Sequence, residues 1–362
     1  MESSGERSDP PPPTEAAEQY AEVDAARPGA EIDVASDPIA AELADEGAGA
    51  SGDPPDRVLI EDDLRSNPRR RRVRLPVMLF VATCLSCFWV GIHQWLPPPT
   101  PSAEAEIGLR RLILRNGVDG LIYTAAVLGI LLSHEMGHFL ATVRYRIPAS
   151  LPIFLPLPIQ PIGTLGAVIA MDGSQADRKQ LFDIGLAGPL AGLVVALPIT
   201  IIGVQQIDFT QQANGVMAFD TPLLIRFMFA FYEVPGYQPG QMITTGHLNP
   251  FYMAGWVGLL ITGLNMMPIS QLDGGHVIYA LFGKRAHWVA RGFLLFAIIF
   301  VVFLGGIMWI LMLVLVILIG ADHPPTRNDN VPLGVFRTCL GYASLVIPFL
   351  CFPPGGLRVL GM

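Results

Sequence analysis

Ser133-His134-Glu135-Met136-Gly137-His138 ends an apolar run, Leu121 to Leu132, that carries no charge. On a helix, residues four apart project from one face, so His134 and His138 are spaced to share one zinc while Glu135 reaches the water beside it. The bare pattern is only five residues long and occurs by chance. Its setting makes it specific: ionisable groups are costly at membrane depth, so a His-Glu-His cluster there marks a functional site, with a metal as the natural partner. The competing reading is two histidines that merely pack with satisfied hydrogen bonds, and it leaves a carboxylate buried between them with no cation.

The rest of the chain has the composition of a membrane protein. Of its 362 residues 51% are hydrophobic and 15% charged, where soluble chains carry roughly a quarter charged; the mean hydropathy is +0.47. The formal net charge of -8 is misleading, because 18 of the 31 acidic residues fall within residues 1–63, against Arg7, Arg27 and Arg57 alone. The remaining basic residues are scattered at the edges of apolar segments and form no stripe, so no nucleic-acid partner is expected. Cys84, Cys87, Cys339 and Cys351 all lie within apolar segments, as small hydrophobes do. A redox or metal role for Cys84-x-x-Cys87 is the weaker reading, since no second pair lies nearby.

Read in order, residues 1–68 hold too little apolar area to offset chain entropy and are expected to form a disordered acidic cytoplasmic tail. With no signal-peptide run in residues 1–60, the first spanning helix itself directs insertion. Residues 69–118 then give that helix, Leu75 to Leu96, and a connector ending in an interfacial helix over 107–115. Residues 119–285 form the core. It holds a second helix over about 119–142, a proline-broken segment over 151–171, a third helix over about 183–204 and a fourth over about 251–268. Pro152, Pro156, Pro158 and Pro161 forbid a spanning helix in 151–171, which predicts a re-entrant or β-like segment near the active site, tucked against protein. Residues 286–362 supply C-terminal spans: two helices over 287–320 turning at Gly305-Gly306, and one over 338–352. The expected fold is an all-α polytopic membrane protein with about seven transmembrane helices. An inside N-terminus puts Arg69 to Arg72, Arg144, Arg146, Lys284 and Arg285 on one side, with Arg110, Arg111 and Arg115 against the trend. The second and fourth helices then end at the same membrane level.

A catalytic zinc site needs three protein ligands and an open position. Two histidines supply two, and Asp273 is the only other acidic residue in so apolar a setting; Gly274-Gly275 after it permits close backbone approach. Zinc lowers the pKa of its water to around 7, and Glu135 is placed to take that proton and pass it to a leaving amine. Asp273 could instead cap a helix. Asn265 is suited to donate to a substrate carbonyl or oxyanion, or to satisfy backbone freed by Pro268. His276 could support Asp273 or sit at the interface, and His93, His247, His287 and His323 are assigned nothing.

The pairing of His134-Glu-x-x-His138 with Asn265-x-x-Pro268-x-x-x-Leu272-Asp273-Gly-Gly closely resembles the site-2 protease family over roughly residues 119 to 285. That resemblance implies an intramembrane zinc metalloendopeptidase cutting transmembrane segments of other membrane proteins in the lipid bilayer. It implies one Zn2+ per chain on His134, His138 and Asp273, with Glu135 as acid and base. Gly163-Thr-Leu-Gly166 and Gly188-Pro189 are similar to further family segments, the first suited to hold an unwound substrate strand by β-addition. Residues 205–250 have no room for the PDZ or CBS module that many relatives carry, so the layout is closer to a PDZ-less bacterial or plastid branch. The expected membrane is a bacterial inner membrane, with a plastid membrane as the alternative, and the acidic tail is the segment left for a regulatory partner. The readings from other classes are a catalytically silent scaffold or chaperone, and a metal or proton transporter. No repeated halves of the transporter kind are visible.

Overall fold

A computed structural model of the chain describes residues 73–96, 108–159, 161–171, 173–211, 215–269, 271–303, 309–320 and 323–360. The expected acidic tail, most of the connector before Gly108 and the Gly305-Gly306 turn lie outside the described residues.

Helix α1 (Arg74–Ile92) runs antiparallel to α2 (Leu109–Tyr145). Glycines make the contact close: a methyl group built on Gly91 would stand 2.7 Å from the Gly120 Cα. Asn116 donates to the Ile92 carbonyl at 2.7 Å, satisfying an acceptor that the end of α1 leaves open. The interfacial stretch expected at 107–115 is not separate. Nothing stronger than Gly117 and Gly120 interrupts the sequence, helices tolerate isolated glycines, and α2 continues unbroken for 37 residues.

The proline-broken segment folds as an antiparallel hairpin of β1 (Ile153–Pro156) and β2 (Thr164–Val168), with Ile153 opposite Val168 and Leu155 opposite Gly166. Its turn is pinned to the helices. Ser86 donates to the Gly163 carbonyl at 2.6 Å and Tyr123 to the Ile162 carbonyl at 2.5 Å. Gly163 has φ +84° and sits where a Cβ would meet the Cys87 Cα at 3.0 Å, so glycine is required there for both backbone and space.

Helix α3 (Arg178–Gln205) opens on a reciprocal cap: the Asp177 carboxylate accepts from the Gln180 amide, and the Gln180 side chain accepts from the Asp177 amide. Next come β3 (Met217–Phe219), α4 (Leu223–Phe231) and β4 (Ile243–Thr244). β3 pairs antiparallel with β4 on one edge and with β5 (Leu357–Val359) on the other. Asp220, just after β3, ties this region together, taking Arg226 at 2.7 Å and the Gly355 amide at 2.6 Å while its carbonyl accepts from Trp256.

Helix α5 (Pro250–Asn265) is wrapped by protein, with Tyr252, Met253, Ala254, Trp256, Val257 and Leu259 all fully buried. It lies antiparallel to α3, where Gly203 meets Tyr252 and Gly255 meets Thr200, and parallel to α2, where Gly258 meets Ile130. The C-terminal end of α5 therefore reaches the level of His134 in α2. Helices α6 (Asp273–Phe282), α7 (Ala286–Phe303), α8 (Ile310–Ile319), α9 (Val335–Ser344) and α10 (Ile347–Cys351) complete the chain. Between α8 and α9, residues 323–330 strap across the fold: Arg327 donates to the Ala176 carbonyl, Arg178 to the Asn328 carbonyl, and Tyr279 to Asp329.

The protein is mostly helical. Among the described residues four helical runs are long and apolar enough to cross a membrane: Arg74–Ile92, Leu109–Tyr145, Arg178–Gln205 and Asp273–Phe303. The other three expected spans are shorter helices. α5 needs no hydrocarbon-length run, because its surroundings are protein.

Candidate metal centre

Helical spacing brings His134 and His138 to one face of α2, and α3 makes room for them. A methyl group on Gly188 would stand 2.0 Å from the His138 Nε2, and one on Gly192 would stand 3.1 Å from the His134 Nδ1. The His138 ring is oriented by its other nitrogen, which donates to the Ile184 carbonyl at 2.8 Å and so leaves Nε2 as the free lone pair. Asp273 arrives from the first residue of α6. The chain turns sharply to deliver it, and a side chain on Gly274 would collide with the Met266 carbonyl at 2.1 Å. Leu272, not Asp273, occupies the cap position, and the carboxylate faces the histidines.

His134 Nε2 lies 3.1 Å from one carboxylate oxygen of Asp273, and His138 Nε2 lies 3.3 Å from the other. The two Nε2 atoms are 3.2 Å apart. Three electron-pair donors so close and so buried repel one another unless a cation or shared proton lies among them, and two imidazoles with a carboxylate match the nitrogen and oxygen donors zinc prefers. The residues fit a metal. Among the described residues they are the only such group of three.

Glu135 is 4% exposed and is not one of the converging donors. It lines the same cavity of about 160 Å³, together with His134, His138, Ala167, Val168, Ile169, Asn265 and His276. Asn265 ends α5 with its amide nitrogen 3.3 Å from His134 Nε2. A larger cavity of about 630 Å³, walled by Phe293, Phe296, Phe300, Trp309 and Met312, holds none of these donors.

Gly163 and Gly166 are not on the cavity wall. Gly163 is spent on the hairpin turn against α1; Gly166, at φ +103°, precedes Ala167, where the wall begins. The sequence reading also missed two supports of the site. The Ile184 carbonyl is backbone, which no residue type signals. His323, passed over as a loop residue, lies with its Nε2 2.7 Å from the His276 Nδ1, and no periodicity links positions so far apart.

A sequence model of Peptidase family M50 matches residues 122–305. The Arabidopsis thaliana protein named "Probable zinc metalloprotease EGY1, chloroplastic" is 33% identical over 298 residues, which cover 77% of this chain and 53% of that protein. The Oryza sativa subsp. japonica protein of the same name is 28% identical over 295 residues, covering 77% and 50%. The chain thus spans about half the length of these relatives. The structure titled "Site-2 Protease from Methanocaldococcus jannaschii" aligns at 20% identity and a TM-score of 0.32, over 57% of this chain and 79% of that one. The family model, matching half of the chain, carries the assignment.

Proposed function

The chain belongs to peptidase family M50, and from that premise we propose that it is a membrane-embedded zinc endopeptidase that hydrolyses peptide bonds within transmembrane segments of other membrane proteins. The observation that carries this reading is the convergence of His134, His138 and Asp273, drawn from two helices 139 residues apart in sequence, beside a buried Glu135. His134, His138 and Asp273 would hold one zinc. Bound zinc supplies Lewis acidity, polarising a carbonyl and acidifying water.

The protein's own groups divide the remaining work. Glu135 takes a proton from water and returns it to the leaving amine. Asn265 donates to the substrate carbonyl as negative charge develops there. Residues 167–169 of the hairpin, in or next to β2, offer backbone to an extended substrate; Gly163 and Gly166 act by shaping the hairpin. A transmembrane helix shields its own amides, so the substrate has to unwind before any of this happens.

Seven crossings with the N-terminus inside is our reading of topology. It is supported by the alternation of α1, α2, α3 and α5, each antiparallel to the one before it in contact, with α2 and α5 parallel. The hairpin is read as re-entrant, the core as residues 119–285, and the acidic tail as the place for a regulatory partner. The relatives' printed names lend support to a plastid membrane and none to a bacterial inner membrane.

The test is zinc content with cleavage of a model transmembrane substrate. Wild type is expected to hold about one zinc and cut; Glu135→Gln to keep zinc and lose cleavage by roughly 10²–10⁴-fold; Asp273→Ala to lose both. A wild-type chain that cannot be loaded with zinc overturns the reading.

A further inference from the structure

The reading of the centre as an amide-hydrolysing site leaves one imidazole on its wall without a task. His276 is partly buried on α6, one turn after Asp273, and lines the same cavity as Glu135 and the three donors. It is not a member of the converging group. Its neighbours decide what it can do.

His323 comes from the strap between α8 and α9, and its Nδ1 lies 2.5 Å from the Pro324 carbonyl. A carbonyl only accepts, so that nitrogen carries a proton. Burial pushes the His323 pKa below the ordinary imidazole value, which favours the neutral ring, and with its proton on Nδ1 the Nε2 is bare. The His276 Nδ1 is 2.7 Å from that bare nitrogen and therefore has to be the donor. With one proton on the His276 ring, already placed on Nδ1, its Nε2 is an acceptor on the ring edge opposite His323. No described residue engages that nitrogen. The lock itself is held rigid: Tyr279 stacks on His323 with ring centroids 4.5 Å apart, and the His287 ring bonds the His323 carbonyl at 3.2 Å.

An unwound peptide brings bare N–H groups into a site shielded from water, where each unpaired donor is costly. His134, His138 and Asp273 face one another and Thr142 donates to the Phe139 carbonyl, so the His276 ring is a further acceptor on the wall beside Glu135, Asn265, Gln271 and the β2 backbone. We infer that His276 is a further substrate-binding residue, whose Nε2 accepts a hydrogen bond from a backbone N–H of the extended substrate, and that His323 is the positioning residue that keeps this nitrogen unprotonated. The inference rests on the proposed protease function.

The experiment reads the tautomer directly. In the full-length chain labelled with 15N-histidine, a long-range proton–nitrogen correlation reports which ring nitrogen is protonated, and the His276 signals are those lost in His276→Asn. The expected pattern is a protonated Nδ1 and bare Nε2, with or without zinc, reverting towards Nε2–H in His323→Ala. A wild-type His276 protonated at Nε2 overturns the proposal. Cleavage gives the second arm. His276→Asn should keep its zinc and lose roughly tenfold to hundredfold in kcat/KM, the effect of one unpaired buried donor. His323→Ala should lose less, and the double variant no more than His276→Asn alone, because His323 acts only through His276. Unchanged kcat/KM in His276→Asn overturns the substrate role, and additive losses overturn the positioning role. A wild type that binds zinc yet cuts nothing sinks the protease reading and the substrate role with it, while the tautomer result remains a separate answer.

Discussion

Gly188 illustrates how a residue without a side chain can belong to a metal centre. Alanine in a helix interior is ordinarily more stable than glycine by roughly 0.5–1 kcal/mol, so Gly188→Ala would stabilise α3 were the position free. Here the new methyl group lands on the His138 ring. The expected result is a chain that still folds but holds well under half the wild-type zinc by elemental analysis, with Gly192→Ala, at 3.1 Å from the His134 ring, affected less. Equal zinc in all three chains would show that the rings can move aside freely. At this scale helix period and rarity of charge were enough to single out His134, His138 and Asp273, which the structure brings together, and Glu135, which it places on the same cavity. The sequence was silent where a partner is backbone or comes from a distant loop, as with Ile184 and His323.

The elements themselves were mostly visible as apolar runs, and the departures have physical causes. α2 absorbed the interfacial stretch because no residue between Leu109 and Tyr145 breaks a helix, whereas the prolines of 151–171 marked irregular backbone but could not say that it pairs as a hairpin. The strap of residues 323–330 had no signal of its own. Two of its contacts make predictions. Burial pushes the Asp329 carboxyl up, but donors from Thr326 and Tyr279 outweigh that and hold it below its usual 3.8. A depressed acid contributes stability that is complete above its unfolded value and fades as pH falls through the lower folded one. Hydrogen exchange at the Arg178 and Arg327 amides, which bond across the strap, should therefore quicken relative to α5 as pH drops below 3.8, and Thr326→Val, which lets the folded value rise towards 3.8, should weaken that pH dependence. Near the opposite end, Asp220 joins β3, α4, α5 and the segment before β5. Asp220→Ala takes the carboxylate acceptor from Arg226 and from the Gly355 amide and should cost about 2 kcal/mol, read as an earlier unfolding midpoint.

At the scale of the whole molecule, α2 is longer than any bilayer requires. Its 37 residues extend about 55 Å at 1.5 Å per residue, against a hydrocarbon core of about 30 Å. Arg144 and Arg146 mark its C-terminal end, and the two histidines lie roughly 10–17 Å from that end by the same rise. The surplus length is therefore all on the Leu109 side. Reconstituted in short-chain and long-chain lipids, the protein should keep the same zinc content and the same cleavage position on a substrate, while a fluorophore near Leu109 changes its distance from the membrane surface. A shift of the cleavage position with lipid length would show that the N-terminal end is the anchored one. The overhang acts as slack: hydrophobic mismatch is taken up far from the centre, so a bilayer that thickens or thins alters how much of α2 protrudes and leaves the depth of the chemistry where it was.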